Sequence, residues 1–223
     1  MLAAAGPARR RRDHYVVAMD PNAFFALSNG YYEKTLDEHG ASARGVDYKS
    51  PEAHELRFEQ LAKLLGTAEP FSLVDYGCGH GALAHYLARQ GLDFTYVGFD
   101  VYERMIDLAR QDGRPGWEYT CDESAVSPAD YTIASGLFNL KFGVDDMTWT
   151  GYVLDTLAKI DALSTRGFAF NILTKYSDPP RMRADLHYAD PSFYFDYCKL
   201  RFARDVALLH DYGAYEFTIL VRK

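Results

Sequence analysis

The 223-residue chain is 48% hydrophobic, enough apolar material for one sizeable domain with its own core and too little length for two independent ones. Its 24 basic residues against 31 acidic ones give a net charge of −7, or −11 (20 against 31) once the run Arg9–Arg12 is set aside, a balance that disfavours a nucleic-acid partner. Three scattered cysteines, Cys78, Cys121 and Cys198, show no CxxC spacing and no apolar run reaches membrane-span length, so a disulfide framework, a zinc site and a membrane anchor are excluded and a reducing, cytoplasmic setting is expected.

At the N-terminus the charges follow the small residues, the wrong order for a secretory signal, and residues 1–12 read as a disordered basic tail ahead of a single domain over 13–223. Asp20-Pro21-Asn22 marks a turn or helix start, and a loop follows Asn29-Gly30-Tyr31-Tyr32 through to Gly45. Ser50-Pro51-Glu52 combines a cap, a first-turn proline and an acid at the positive end of the dipole. Leu56, Leu61, Leu64 and Leu65 give that helix an apolar stripe and Gly66 a stop, so 13–66 is expected as a helical cap.

The rhythm then changes. Strands are predicted at Phe71–Tyr76, Phe94–Asp100, Trp117–Cys121, Tyr131–Ser135 and Gly167–Leu173, with helices at Gly81–Gln90, Tyr102–Gln111 and Tyr152–Leu163 between them. Such alternation makes an α/β fold, a doubly wound and mostly parallel sheet whose ligands bind beyond the carboxyl ends of its strands. Val206–His210 and Glu216–Val221, joined through a Gly-containing turn, read as a closing antiparallel hairpin.

Within that frame one stretch carries chemistry. Val74-Asp75-Tyr76-Gly77-Cys78-Gly79-His80-Gly81 runs from a buried strand into a glycine turn and a helix whose first N–H groups lack partners, a setting for a nucleoside-bearing cofactor. Gly77-x-Gly79-x-x-Ala82 also satisfies the dinucleotide fingerprint. Asp75 argues against that reading, since it would repel a pyrophosphate and attract an amino-acid ammonium; the third glycine, Gly81, widens the turn for a bulky ligand. The stretch resembles the first motif of class I S-adenosylmethionine-dependent methyltransferases. The resemblance covers about Phe71 to Leu173 by motif and the C-terminal hairpin by pattern, and implies a Rossmann-like fold and S-adenosylmethionine as cofactor.

On that resemblance Asp75, Gly77, Cys78, Gly79 and Gly81 form the cofactor turn. Asp100, with its neighbour Val101, ends the second strand at the distance expected of a ribose-binding acid. The resemblance places Asp122 or Glu123 against the adenine amine, and Ser135, Gly136 and Leu137 beside the methionine portion. Tyr31 and Arg57 could fold over the cofactor, Arg57 pairing with its carboxylate.

The acceptor is less legible. The family's Asn-Pro-Pro-Tyr motif for base and amide nitrogens is missing; Phe138-Asn139-Leu140-Lys141 stands there instead. Asn139, Lys141, Tyr176 and Arg181 are acceptor-binding candidates. The segments 30–49 and 176–199, the latter within an insertion expected over 176–204, are either a lid over a small polar or anionic molecule or plain helical packing. His187 is the first candidate general base, ahead of His14 and His210. The resulting expectation is methyl transfer to an oxygen, or next a nitrogen, of a small molecule, without a metal and with a homodimer allowed. The alternatives are an NAD(P)-dependent oxidoreductase and a non-catalytic cofactor-binding subunit.

Overall fold

The computed structural model describes residues 21–46, 49–66 and 69–223, so the expected basic tail and His14 lie outside the described residues. Helix α1 (Pro21–His39) begins at the anticipated proline but does not break at Gly30. A lone glycine costs a helix about 1 kcal/mol relative to alanine, which nineteen residues of continuous helix absorb. Helix α2 (Pro51–Ala62) starts as its sequence dictates: the Ser50 hydroxyl accepts from Ala53 N–H at 3.2 Å, with Pro51 in the first turn.

The alternating segment forms β1 (Phe71–Tyr76), α3 (Ala82–Arg89), β2 (Phe94–Phe99), α4 (Glu103–Asp112), β3 (Trp117–Thr120), β4 (Ala129–Ala134), α5 (Asp146–Ala162) and β5 (Ser164–Leu173). Helix α5 begins six residues earlier than its apolar stripe indicates, because Asp145 caps it by accepting from Met147 and Thr148 N–H. The insertion then supplies α6 (Pro191–Arg201), and the chain ends in β6 (Asp205–Leu209) and β7 (Glu216–Arg222).

All seven strands make one sheet in the order β3-β2-β1-β4-β5-β7-β6. β1 to β5 are parallel, while β7 enters antiparallel between β5 and β6. The β1–β4 neighbours leave the sequential order at the centre, so the crevice above β1 opens at the switch point.

The central strands β1, β4 and β5 are buried on both faces, and each face carries its own helices. On one side Trp149, Val153, Leu157 and Ile160 of α5 and Tyr194 and Cys198 of α6 pack on Phe168, Phe170 and Ile172. On the other, Phe58 and Leu61 of α2, Leu83 and Leu87 of α3 and Ile106 of α4 cover Leu73, Ile133 and Ala169. The insertion is therefore largely packing: α6 covers the β7–β6 end of the sheet.

Candidate active site

Gly77, Gly79 and Gly81 all adopt positive φ (83°, 53° and 82°), which bends the chain sharply between β1 and α3. Gly77 and Cys78 N–H both donate to Phe99 O, at 2.8 and 2.9 Å, binding the turn to the end of β2. Asp100 completes the clasp: its Oδ2 accepts from Gly79 N–H at 2.8 Å and its Oδ1 from Tyr102 N–H at 2.9 Å. Burial raises the Asp100 carboxyl above its ordinary range while these two N–H bonds pull it back. Asp75 is buried more deeply. Tyr96 hydroxyl donates to its Oδ2 at 2.8 Å, yet burial, with the Asp100 charge adding to it, pushes its pKa up to about 7.

This turn floors a cavity of about 280 Å³ walled by the ends of β1, β2 and β4 and roofed by α1 and α2. The structure brings together on its wall ten of the residues singled out from sequence: Asp75, Gly77, Cys78, Gly79, Asp100, Val101, Glu123, Ser135, Gly136 and Leu137. Gly81 is not on the wall. Its role is local: it caps α3 in the left-handed region, and a Cβ there would lie 2.9 Å from the Tyr119 hydroxyl oxygen.

The two acids after β3 divide differently from the expectation. Asp122, the favoured adenine acceptor, is an exposed cap that accepts from Ser124 N–H and its hydroxyl, off the cavity wall. Glu123 does reach the wall, where it accepts from Lys159 Nζ at 2.8 and 3.0 Å and from the Tyr76 hydroxyl. Burial pushes Glu123 up, but Lys159 and Tyr76 outweigh it and leave the carboxyl below its usual range.

Several other candidates stand away from the cavity. Arg57 spends its guanidinium on Glu216, which corrects its assignment to a cofactor carboxylate. Tyr31 packs edge-on against Phe142 at 5.8 Å, behind the wall. Asn139 accepts from Leu173 N–H, and Lys141 pairs with Asp146 at 2.7 Å, so both brace the loop after β4. Tyr176 and Arg181 are exposed and stack with His210 and Tyr215 respectively. His187 also lies off the wall: Asp146 Oδ1 faces its Nδ1 at 3.4 Å and Tyr194 hydroxyl its Nε2 at 3.3 Å. Both ring nitrogens face protein groups, and the imidazole ties the insertion to α5 and α6.

Sequence reasoning expected an N-terminal helical cap but missed the residues with which it roofs the cavity. His54 and Phe58 on α2, and Phe25, Ser28 and Tyr32 on α1, line the cavity, as do Leu140 and Phe142 of the β4–α5 loop. His54 stacks on Phe58 at 4.3 Å between ring centres. Burial, then His80 and Arg57, lower its pKa to about 3, so its imidazole is neutral at ordinary pH. Only Leu140 and Phe142 had a usable signal, their position just past the fourth strand; the roof is far from the motif in sequence.

The wall fits an adenosyl amino acid. Ser135 Oγ and His80 Nε2 are buried with no hydrogen-bond partner among the described residues, and both residues line the cavity. Acids stand at the turn and at the end of β2, where an ammonium and a ribose need acceptors.

Known proteins share this fold. A family profile described as a methyltransferase domain matches residues 73–151. A Mycobacterium tuberculosis protein named as a methyltransferase, Rv1506c, is 48% identical over 163 residues, covering 72% of this chain and 98% of its own. A Pseudomonas putida protein named as a fatty acid methyltransferase is 29% identical over 109 residues, 47% of this chain and 27% of that protein. Among solved structures, the DhpI–SAM–HEP complex covers 92% of this chain and 100% of its own at TM-score 0.61 and 14% identity. The Burkholderia thailandensis 1,6-didemethyltoxoflavin-N1-methyltransferase, solved with 1,6-didemethyltoxoflavin and S-adenosylhomocysteine, covers 93% of this chain and 92% of its own at TM-score 0.61 and 18% identity.

Proposed function

This chain belongs to the class I S-adenosylmethionine-dependent methyltransferases, and from that premise we propose that it methylates an oxygen, or second to that a nitrogen, of a small molecule. The observation that carries the reading is the convergence of Asp75, the Gly77–Gly79 turn, Asp100 and the Ser135–Leu137 segment on one cavity. The premise replaces the oxidoreductase alternative raised by Gly77-x-Gly79-x-x-Ala82.

The residues divide the work by charge and position. Asp100 would hold the ribose hydroxyls on the lone pairs left after its two N–H bonds. Asp75 would meet the cofactor ammonium, and Ser135 Oγ and the Gly136 and Leu137 backbone would border the methionine chain. Glu123, held by Lys159 and Tyr76, closes the adenine end. When bound, S-adenosylmethionine would supply the methyl group to the acceptor oxygen, the carbon–sulfur electron pair staying on sulfur and the hydroxyl proton being given up by the acceptor.

For that step the protein contributes mainly aim. The roof of α1 and α2 and the β4–α5 loop exclude water and hold the acceptor against the turn, and positioning of this kind supplies several kcal/mol of catalysis.

Calorimetric titration of the protein with S-adenosylmethionine, S-adenosylhomocysteine and NADH tests the reading. Micromolar binding of the two adenosyl ligands and none of NADH is expected. Asp100→Ala should weaken binding by about 1–3 kcal/mol, the scale of hydrogen bonds to a charged group. Undiminished affinity in a folded Asp100→Ala protein would remove the ribose assignment.

A further inference from the structure

The amino-acid end of the cofactor carries an ammonium and a carboxylate, and a cavity that takes both needs an acceptor and a donor. Asp75 serves the ammonium. For the carboxylate the cations are already engaged. Among the described residues Lys159 is the one lysine or arginine on the cavity wall, and both Glu123 oxygens accept from its Nζ, at 3.0 and 2.8 Å. Arg57, the cation expected there from sequence, meets Glu216 and is off the wall. A carboxylate entering without a donor would lose hydration that nothing returns.

The wall does hold buried polar side-chain atoms with nothing to bond. Among the described residues they are His80 Nε2 and Ser135 Oγ, and such atoms are ordinarily satisfied by protein, water or a ligand. Of the two only the imidazole can carry a positive charge. The turn itself places it: His80 stands between Gly79 and Gly81, both at positive φ, and Gly79 N–H is pinned to Asp100 Oδ2 at 2.8 Å. Burial lowers the pKa of the ring, while the backbone carbonyls of His80 and Ser42 raise it. A carboxylate at Nε2 would act on the same side as those carbonyls. The ring donates from Nε2 both as the imidazolium and as the neutral Nε2–H tautomer.

We propose that His80 binds the carboxylate of the cofactor's amino-acid portion, Nε2–H donating to a carboxylate oxygen while Asp75 takes the ammonium. The proposal rests on the methyl-transfer reading and names the residue that does what Arg57 was expected to do. Two contacts at the amino-acid end, with Asp100 at the ribose, restrain the sulfonium that lies between them, which is the positioning that methyl transfer requires.

Calorimetry on the full chain tests it with two ligands, S-adenosylhomocysteine and 5′-[(3-aminopropyl)thio]-5′-deoxyadenosine. The second keeps the adenine, ribose and ammonium and lacks only the carboxylate. The wild type should bind S-adenosylhomocysteine at least tenfold more tightly than this amine, the scale of one hydrogen bond to a charged group. His80→Ala should bind S-adenosylhomocysteine at least tenfold more weakly than the wild type and the amine within twofold of it. His80→Phe keeps a ring in place without the nitrogens and carries the same expectation. A turn merely loosened by the substitution would weaken both ligands alike. Equal affinity of the wild type for the two ligands overturns the proposal, as does a loss that is the same for both, or absent, in a folded variant. No binding of S-adenosylhomocysteine to the wild type overturns the methyl-transfer reading itself, and the His80 assignment with it.

Discussion

Arg57 holds Glu216 with two nitrogens, Nε to Oε2 and Nη2 to Oε1, both at 2.8 Å, across 159 residues of sequence. Glu216 is 2% exposed and also accepts from Asn171 Nδ2, whose Oδ1 in turn accepts from Gly136 N–H at 2.8 Å. A roof helix, the last strand and the cavity segment after β4 are thus joined by one buried polar chain. Removing one member of such a pair strands its partner's charge, whereas the intact pair satisfies it.

Glu216→Ala should therefore destabilise the protein by about 3–5 kcal/mol. Urea denaturation of the single and double variants with Arg57→Ala measures it. A coupling energy above about 1 kcal/mol is expected for residues in one network; strict additivity would show that the bond contributes nothing.

Asp75 gives a pH signature of unusual sign. Its folded pKa of about 7 lies above the ordinary carboxyl value, so between about pH 4 and pH 7 the native state holds a proton that the unfolded chain has lost. Its contribution is fully present below about pH 4 and is lost as pH rises through about 7, a change of up to about 4 kcal/mol. Carboxyls held low, such as Asp130 and Asp146, act in the opposite direction at more acid pH. The difference in unfolding free energy between wild type and Asp75→Asn isolates the effect and should fall from pH 4 to 7 in the ligand-free protein. A difference that stays flat would place Asp75 among ordinary ionised carboxylates.

His187 makes the contrasting case. It is 5% exposed, and burial lowers its pKa despite the Asp146 carboxylate beside it. His187→Ala should cost about 1–3 kcal/mol of stability, the range for a buried polar partner lost. Its affinity for S-adenosylhomocysteine should stay within twofold of wild type. A large loss of affinity in a folded variant would show that His187 acts on the cavity and not only in packing.

The sequence alone determined the strand–helix alternation, the hairpin, the glycine turn and the acid at Asp100. Each is a local property: apolar periodicity sets the elements, glycines permit the turn, and a strand end exposes the acid. From these came the fold, the family and ten residues of one cavity wall. The opening of α2 at Ser50 was legible for the same reason, since a cap acts over three residues.

Tertiary structure decided what faces what. Asp122 and Glu123 are adjacent acids after one strand, and only the packing of α5, which brings Lys159 to the pair, turns Glu123 to the wall and leaves Asp122 a cap. Arg57 meets Glu216 because α2 packs across β5 and β7, and no linear pattern encodes a partner that distant. His54 and Phe58 read as ordinary helix residues until α2 lies over the turn. The cavity wall at the glycine turn comes from a contiguous motif, while its roof is assembled from segments that meet only when the chain has folded.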